Sequence, residues 1–262
     1  MRNYRRALVT GATSGIGGAF SDELPNRTDL LLTGRDLQRL SQAADRLTRP
    51  GRVIETHPAD LTDAGARDRL IEHADAFGVD LLINNAGTGR LGRFLDNPPD
   101  VEQETVLLNV VAVVDLTRRL LPGMLERARA GRRRAGLIVV SSTTAFAPVP
   151  FFATYAASKT FALQFTEALA EELRGEPIDV LALCPGATRT GFERHAGHRP
   201  GNIPAAGEPR DVAAEGLAAL GRDTVRVVGR LNQAALGPVV LPRRLVTGAI
   251  GLAMRFVTAR AG

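Results

Sequence analysis

The chain has 262 residues, 44% of them apolar and 23% charged, a balance that suits a soluble globular protein with a sizeable core. Its net charge of +5 comes from basic residues scattered beside acids. The only dense basic run is Arg132-Arg133-Arg134 and there is no Trp, so a nucleic-acid partner is not expected. One Cys, Cys184, excludes an intramolecular disulfide and fits a reducing, cytoplasmic setting; with no 18-residue uncharged apolar window, neither a spanning helix nor a signal-type leader is expected.

Short apolar runs lie at 6–10, 29–33, 52–57, 79–84, 136–141, 178–183 and 224–228. Most are continuous rather than alternating, as strands buried on both faces of a parallel sheet are. Helical patterns fall between them, near 15–24, 36–48, 63–77, 101–130, 154–175 and 210–220. Such alternation predicts βαβ units wound into an α/β, Rossmann-like sheet of seven mainly parallel strands flanked by helices. No linker or repeat interrupts it, so residues 1–262 are read as one domain. The stretch 191–209 is rich in Gly and Pro and reads as a loop near the working edge of the sheet. The tail 236–262 is helical in tone; its expected role is packing within the protein or an oligomer, ahead of contact with a membrane surface.

The first strand runs straight into Thr10-Gly11-Ala12-Thr13-Ser14-Gly15-Ile16-Gly17, which opens the first helix. Glycines there let the backbone turn tightly and approach a pyrophosphate, while helix-terminal N–H groups meet the anion. The second strand ends Thr33-Gly34-Arg35-Asp36. An acid at that strand end would hold a ribose and favour NAD; the Arg35 fork suits a 2′-phosphate, so NADP is expected. The third strand leads to Asp60-Leu61, placed to meet an adenine. The fourth ends Asn84-Asn85-Ala86-Gly87, where small residues allow close approach and the amides can hold either backbone turns or a ribose.

Of 33 basic residues, 32 are Arg; the single Lys is Lys159, four residues after Tyr155, one of only two Tyr in the chain. On a helix the two share a face. A phenol's ordinary pKa near ~10 is too high for a base at neutral pH, and a nearby ammonium is expected to lower it. Lys can also donate to ribose hydroxyls. Ser142, at the end of the fifth strand, can donate to a carbonyl oxygen over the same cleft. Asn109 sits inside a long helix, where Asn is unfavourable, and reads as a satisfied core amide or a functional kink with a bound water. Phe146, Phe151 and Phe152 either wall an apolar pocket or belong to ordinary core. Cys184 reads as a small buried hydrophobe. His195 and His198 make an HxxH pair with no acidic or Cys partner in view, so a metal is not expected.

Together and in order, TGATSGIG, NNAG, Asn109, Ser142, YAASK and Cys184-Pro185-Gly186-Ala-Thr188-Arg-Thr190 resemble the short-chain dehydrogenase/reductase family over about the first 230 residues. The resemblance implies hydride transfer between nicotinamide and a small-molecule carbonyl or alcohol. It implies that Tyr155 is the general acid or base, Lys159 tunes it and binds the nicotinamide ribose, Ser142 orients the substrate oxygen, and Asn109 holds a water linking Lys159 to solvent. It also implies that Gly11, Thr13, Ser14, Gly15, Ile16 and Gly17 line the phosphates and that Asn85 touches the adenosine-side ribose. Asp60, Leu61, Ala86, Gly87, Pro185, Gly186, Thr188 and Thr190 would complete the cofactor site, and a homodimer or homotetramer is expected. Ser14 stands where some NADP-dependent members carry a basic residue, so Arg35 alone bears the NADP expectation. The Asp-Gly-Gly ending of the oxoacyl reductases is missing, which makes 3-oxoacyl reduction a secondary substrate class. A catalytically silent NADP-binding sensor or scaffold is the alternative from another functional class.

Overall fold

The computed structural model describes residues 4–192 and 206–236, together with 245 and 247. Seven strands form one parallel sheet: β1 (Arg6–Thr10), β2 (Asp29–Gly34), β3 (Ile54–Pro58), β4 (Leu81–Asn84), β5 (Ala135–Val140), β6 (Ile178–Cys184) and β7 (Val225–Val227). They lie in the order β3-β2-β1-β4-β5-β6-β7. The order reverses beside β1, so a crevice opens between the carboxyl ends of β1 and β4, where α/β sheets of this kind take their ligands.

Helices among the described residues include α1 (Gly15–Glu23), α2 (Leu37–Leu47), α3 (Ala64–Phe77), α4 (Pro99–Val106), α5 (Ala112–Ala130), α6 (Ala153–Glu172) and α7 (Pro209–Ala219). Local chemistry sets several of their ends. Asp36 and Asp63 cap α2 and α3 by accepting the N–H of Arg39 and Ala66, and Gly78 closes α3 in the left-handed conformation with φ 77°. The sheet alternates along each strand. Ala7, Val9, Leu30, Leu32 and Ile83 face α1, α2 and α7, while Leu8, Leu31, Leu82, Leu137 and Val139 face α3, α5 and α6. Both faces are therefore covered, as the continuous apolar runs predict.

β3 is the exception. It reads Ile-Glu-Thr-His-Pro, is only partly buried, and lies at the sheet edge, where one flank needs no apolar cover. The helix expected at 101–130 is also not uniform. A single π-turn, Leu107–Val111, joins α4 to α5 and carries the buried Asn109. An extra residue in one turn re-aims the side chains it holds, and such turns cluster at functional sites. Among the described residues no helix is long and apolar enough to cross a membrane.

Candidate active site

The chain turns from β1 into α1 against the end of β4. The Thr10 hydroxyl accepts the N–H groups of Asn85 and Ala86, both at 2.9 Å, and the Asn85 amide donates to the Thr10 carbonyl at 2.8 Å. The Asn85 side chain thus holds the turn, one of its two expected roles. A side-chain carbon at Gly17 would collide with the Gly11 carbonyl and the Asn85 amide, so only glycine lets α1 begin this close to β4. Ser14 is the N-cap of α1, but its side chain makes no capping bond, and the first turn holds no acid. The leading N–H groups of α1 are therefore left without a side-chain acceptor, an arrangement that fits an anionic group. Thr190 reaches this turn from beyond β6: a side-chain carbon on Gly15 would lie 3.0 Å from Thr190 Cβ. Ile16 packs on the core, Leu61 is buried in it, and the Thr13 methyl faces Gly34.

At the far end of the crevice Arg35 pairs with Glu104 of α4 at 2.9 Å, with 58% of its side chain exposed. It does not pair with Asp36, whose carboxylate caps α2 and meets Arg39 at 3.4 Å. Burial pushes the Asp60 carboxyl up. Hydrogen bonds from the Thr62 N–H and hydroxyl, at 3.0 and 2.7 Å, together with the Arg35 charge, outweigh that and leave it below the usual carboxylate range. Arg35 and Asp60 share one corner.

The chemical end is built from β5 and α6. Ser142, just past β5, lies beside the Tyr155 phenol, and its hydroxyl accepts the Thr144 N–H at 3.1 Å. Lys159 is buried one turn along α6; its Nζ lies 5.7 Å from the Tyr155 ring centre and donates to the Val140 carbonyl at 2.9 Å. Asn109 is a satisfied core amide as well as part of a kink. Its Oδ1 accepts the Thr88 N–H at 2.9 Å, and its Nδ2 donates to the Thr88 carbonyl and the Ser158 hydroxyl at 2.8 and 2.9 Å. It braces the strand-end loop that carries Gly87 against α6. A side-chain carbon on Gly87 would lie 3.1 Å from Asn109 Oδ1 and 3.2 Å from Lys159 Nζ, so the two polar groups flank one point.

The expected downward shift of the phenol is not found. Tyr155 keeps part of its surface open to the cleft, but protein crowds it on most sides. That burial pushes its pKa up to about 12, opposed only by the hydrogen bond with Ser142. Burial likewise pushes Lys159 down to about 8, against a smaller opposing influence of Cys184. Desolvation disfavours the charged form of each, and here it exceeds the attraction that the spacing suggests. At neutral pH the phenol is protonated and the ammonium mostly charged, so the pair is stocked to give a proton.

The three aromatic candidates part company. Phe146 joins the core beside Leu236, Phe151 is exposed, and Phe152 stacks on Tyr155 at 4.2 Å with 17° between the rings. Two residues escaped the sequence reading. Phe192 lies over Tyr155 at 5.2 Å, from a stretch with no periodicity to signal it. Gly89 closes the ring's other side: a side-chain carbon there would sit 2.5 Å from Tyr155 Cδ2. The second glycine after NNAG, in NNAGTG, was the available signal. Beyond β6, Thr188 bonds the Gly186 carbonyl through its hydroxyl at 3.0 Å and pairs as a bridge with Gly207, which fixes both ends of the loop predicted at 191–209. His195, His198 and all but residues 245 and 247 of the tail after 236 lie outside the described residues. Cys184 is fully buried, as a small hydrophobe should be.

Residues 5–200 match the short chain dehydrogenase family. The chain belongs to that family. It is 34% identical over 250 residues to dehydrogenase/reductase SDR family member 7B of Bos taurus, covering 87% of this chain and 75% of that one. It is 32% identical over 194 residues to human 17-beta-hydroxysteroid dehydrogenase type 3, covering 72% of this chain and 61% of that one. A short-chain dehydrogenase from Sphingobium yanoikuyae, solved in complex with NADPH, superposes with a TM-score of 0.82 at 28% identity, covering 92% and 93% of the two chains. As a short-chain dehydrogenase, the protein is a nicotinamide-nucleotide-dependent oxidoreductase acting on small molecules.

Proposed function

We propose that the protein is an NADP(H)-dependent carbonyl reductase in which Tyr155 protonates the substrate oxygen. The observation that carries this reading is that Ser142 and Lys159 converge on Tyr155, Ser142 near enough to oppose the rise of the phenol's pKa and the Lys159 ammonium 5.7 Å from the ring. A carbonyl oxygen in the cleft accepts from the Ser142 hydroxyl and the Tyr155 phenol. The nicotinamide, when bound, supplies the hydride equivalent. As charge grows on that oxygen, the phenol proton moves to it, and the resulting phenolate is stabilised by the Lys159 ammonium. Asn109 keeps the loop at Thr88 and the α6 turn at Ser158 in register throughout. In oxidation the same groups run in reverse, with Tyr155 taking the alcohol proton.

The residues present fit a dinucleotide. The uncapped start of α1 takes the phosphates, with Thr190 beside it. Arg35 meets the 2′-phosphate, because its side chain is largely exposed and no acid ends β2. Arg35→Ala is expected to weaken NADPH binding by about 10- to 100-fold, the worth of a hydrogen bond to a charged group, and to leave NADH binding unchanged. Fluorescence titration of both nucleotides checks this. Equal losses for the two, or tighter NADH binding by the wild type, would overturn the NADP assignment.

A further inference from the structure

One bulky residue stands in a conformation that the reaction as described does not explain. Phe151 has φ 65°, in the left-handed region disfavoured for a large side chain. Its own side chain is 61% exposed, so packing of that ring does not hold it there. The backbone does: the Phe151 carbonyl accepts the Gly92 N–H at 2.8 Å, and the Phe152 N–H donates to Val149 at 3.1 Å. The turn these bonds fix swings Phe152 onto Tyr155, ring against ring at 4.2 Å. Phe192 faces the same place, 5.2 Å from Tyr155 and 6.4 Å from Phe152, tilted by 47° and 55°. Two rings, Phe152 and Phe192, thus pack against the ring that carries the proton-donating hydroxyl. Gly92, which pins the turn, also begins a segment whose Phe94 and Leu95 are exposed at 59% and 84%. Strained backbone is retained where the surroundings over-determine it, and such sites cluster where geometry serves function.

We propose that Phe152 is a positioning and specificity residue, stacked on Tyr155 and opposed by Phe192 so that the cleft prefers ketones bearing a flat apolar ring beside the carbonyl. This rests on the carbonyl-reductase reading and names its substrate class. A planar substrate ring extends the aromatic stack, whereas a short alkyl group leaves the ring faces wet. The stack also keeps water from the phenol, in accord with the direction of its pKa.

The test measures kcat/KM for acetophenone and for 2-butanone with NADPH, in wild type, Phe152→Leu and Phe152→Tyr, alongside NADPH titration, melting temperature and the pH profile. Phe152→Leu should lower the acetophenone-to-butanone ratio by about tenfold, the worth of an aromatic pair, with NADPH affinity unchanged. Phe152→Tyr should restore the ratio, and the fall past about pH 8 that Lys159 sets should stay the same in all three proteins. A ratio that stays put while melting temperature falls, or that Phe152→Tyr fails to restore, overturns the proposal and leaves the reductase intact. Wild type that binds NADPH yet reduces neither ketone overturns the parent reading along with it.

Discussion

Tyr155→Phe is expected to lower kcat/KM for ketone reduction by about 1,000-fold, within the range a positioned general acid contributes, while NADPH affinity stays the same. The change deletes one hydroxyl and keeps the ring. The stack on Phe152 therefore survives, and so does the close fit of the ring against Gly89. Ser142 loses its phenol partner but still accepts the Thr144 N–H, so the β5 end stays in place. What disappears is the acidic proton that Tyr155 holds beside Ser142. Steady-state kinetics with parallel nucleotide titration separates the two effects. A loss under about tenfold would mean that water or Ser142 delivers the proton.

Lys159→Met tests the other half of the pair through stability as well as rate. The rate should fall by about 100-fold or more, because a phenolate formed in a desolvated pocket loses its counter-charge. Stability responds to pH in a defined direction. The ordinary ammonium value is 10.5, and burial lowers it to about 8 in the folded chain. Below that value the folded protein must hold a buried charge, and the penalty is fully present. Between about 8 and 10.5 the unfolded chain binds the proton that the folded chain has released. Stability contributed by this group therefore rises with pH across that window and levels off above it. The integrated change is about 3 kcal/mol. Urea unfolding of wild type and Lys159→Met should show a constant offset below pH 8, then a gain by the wild type as pH approaches 10.5. The same ionisation should make wild-type reduction fall as pH rises past about 8, with no limb from Tyr155 until near 12. An offset that stays flat across the window would show that Lys159 is charged at no cost.

The sequence makes the frame of this site readable and hides its walls. Tyr155, Lys159 and Ser142 follow from one helical turn and one strand end, because both are local. The Gly11–Gly17 turn follows from its place between β1 and α1. Seven strands follow from apolar runs, β3 included, whose run is only partly buried at the sheet edge. The ion pair between Arg35 and Glu104 joins residues 69 apart and has no local signature. The π-turn around Asn109 is one residue's departure from a helix pattern that otherwise continues. The direction of the phenol's shift depends on how thoroughly Phe152, Phe192 and Gly89 enclose it. Those three come from a strained turn, an aperiodic loop and a strand-end segment. Spacing alone gives the attraction between phenol and ammonium; only packing gives the desolvation that exceeds it.

The central claim is that this cleft passes a hydride from NADPH to a carbonyl carbon while Tyr155 supplies the proton. The most direct measurement uses NADPH doubly deuterated at the transferring carbon of its nicotinamide, with acetophenone as acceptor in ordinary water. The account predicts 1-phenylethanol carrying one deuterium on the carbinol carbon and none on its oxygen, at one equivalent per NADPH consumed. An alcohol without carbinol deuterium, or NADPH consumed with no alcohol formed, would contradict it.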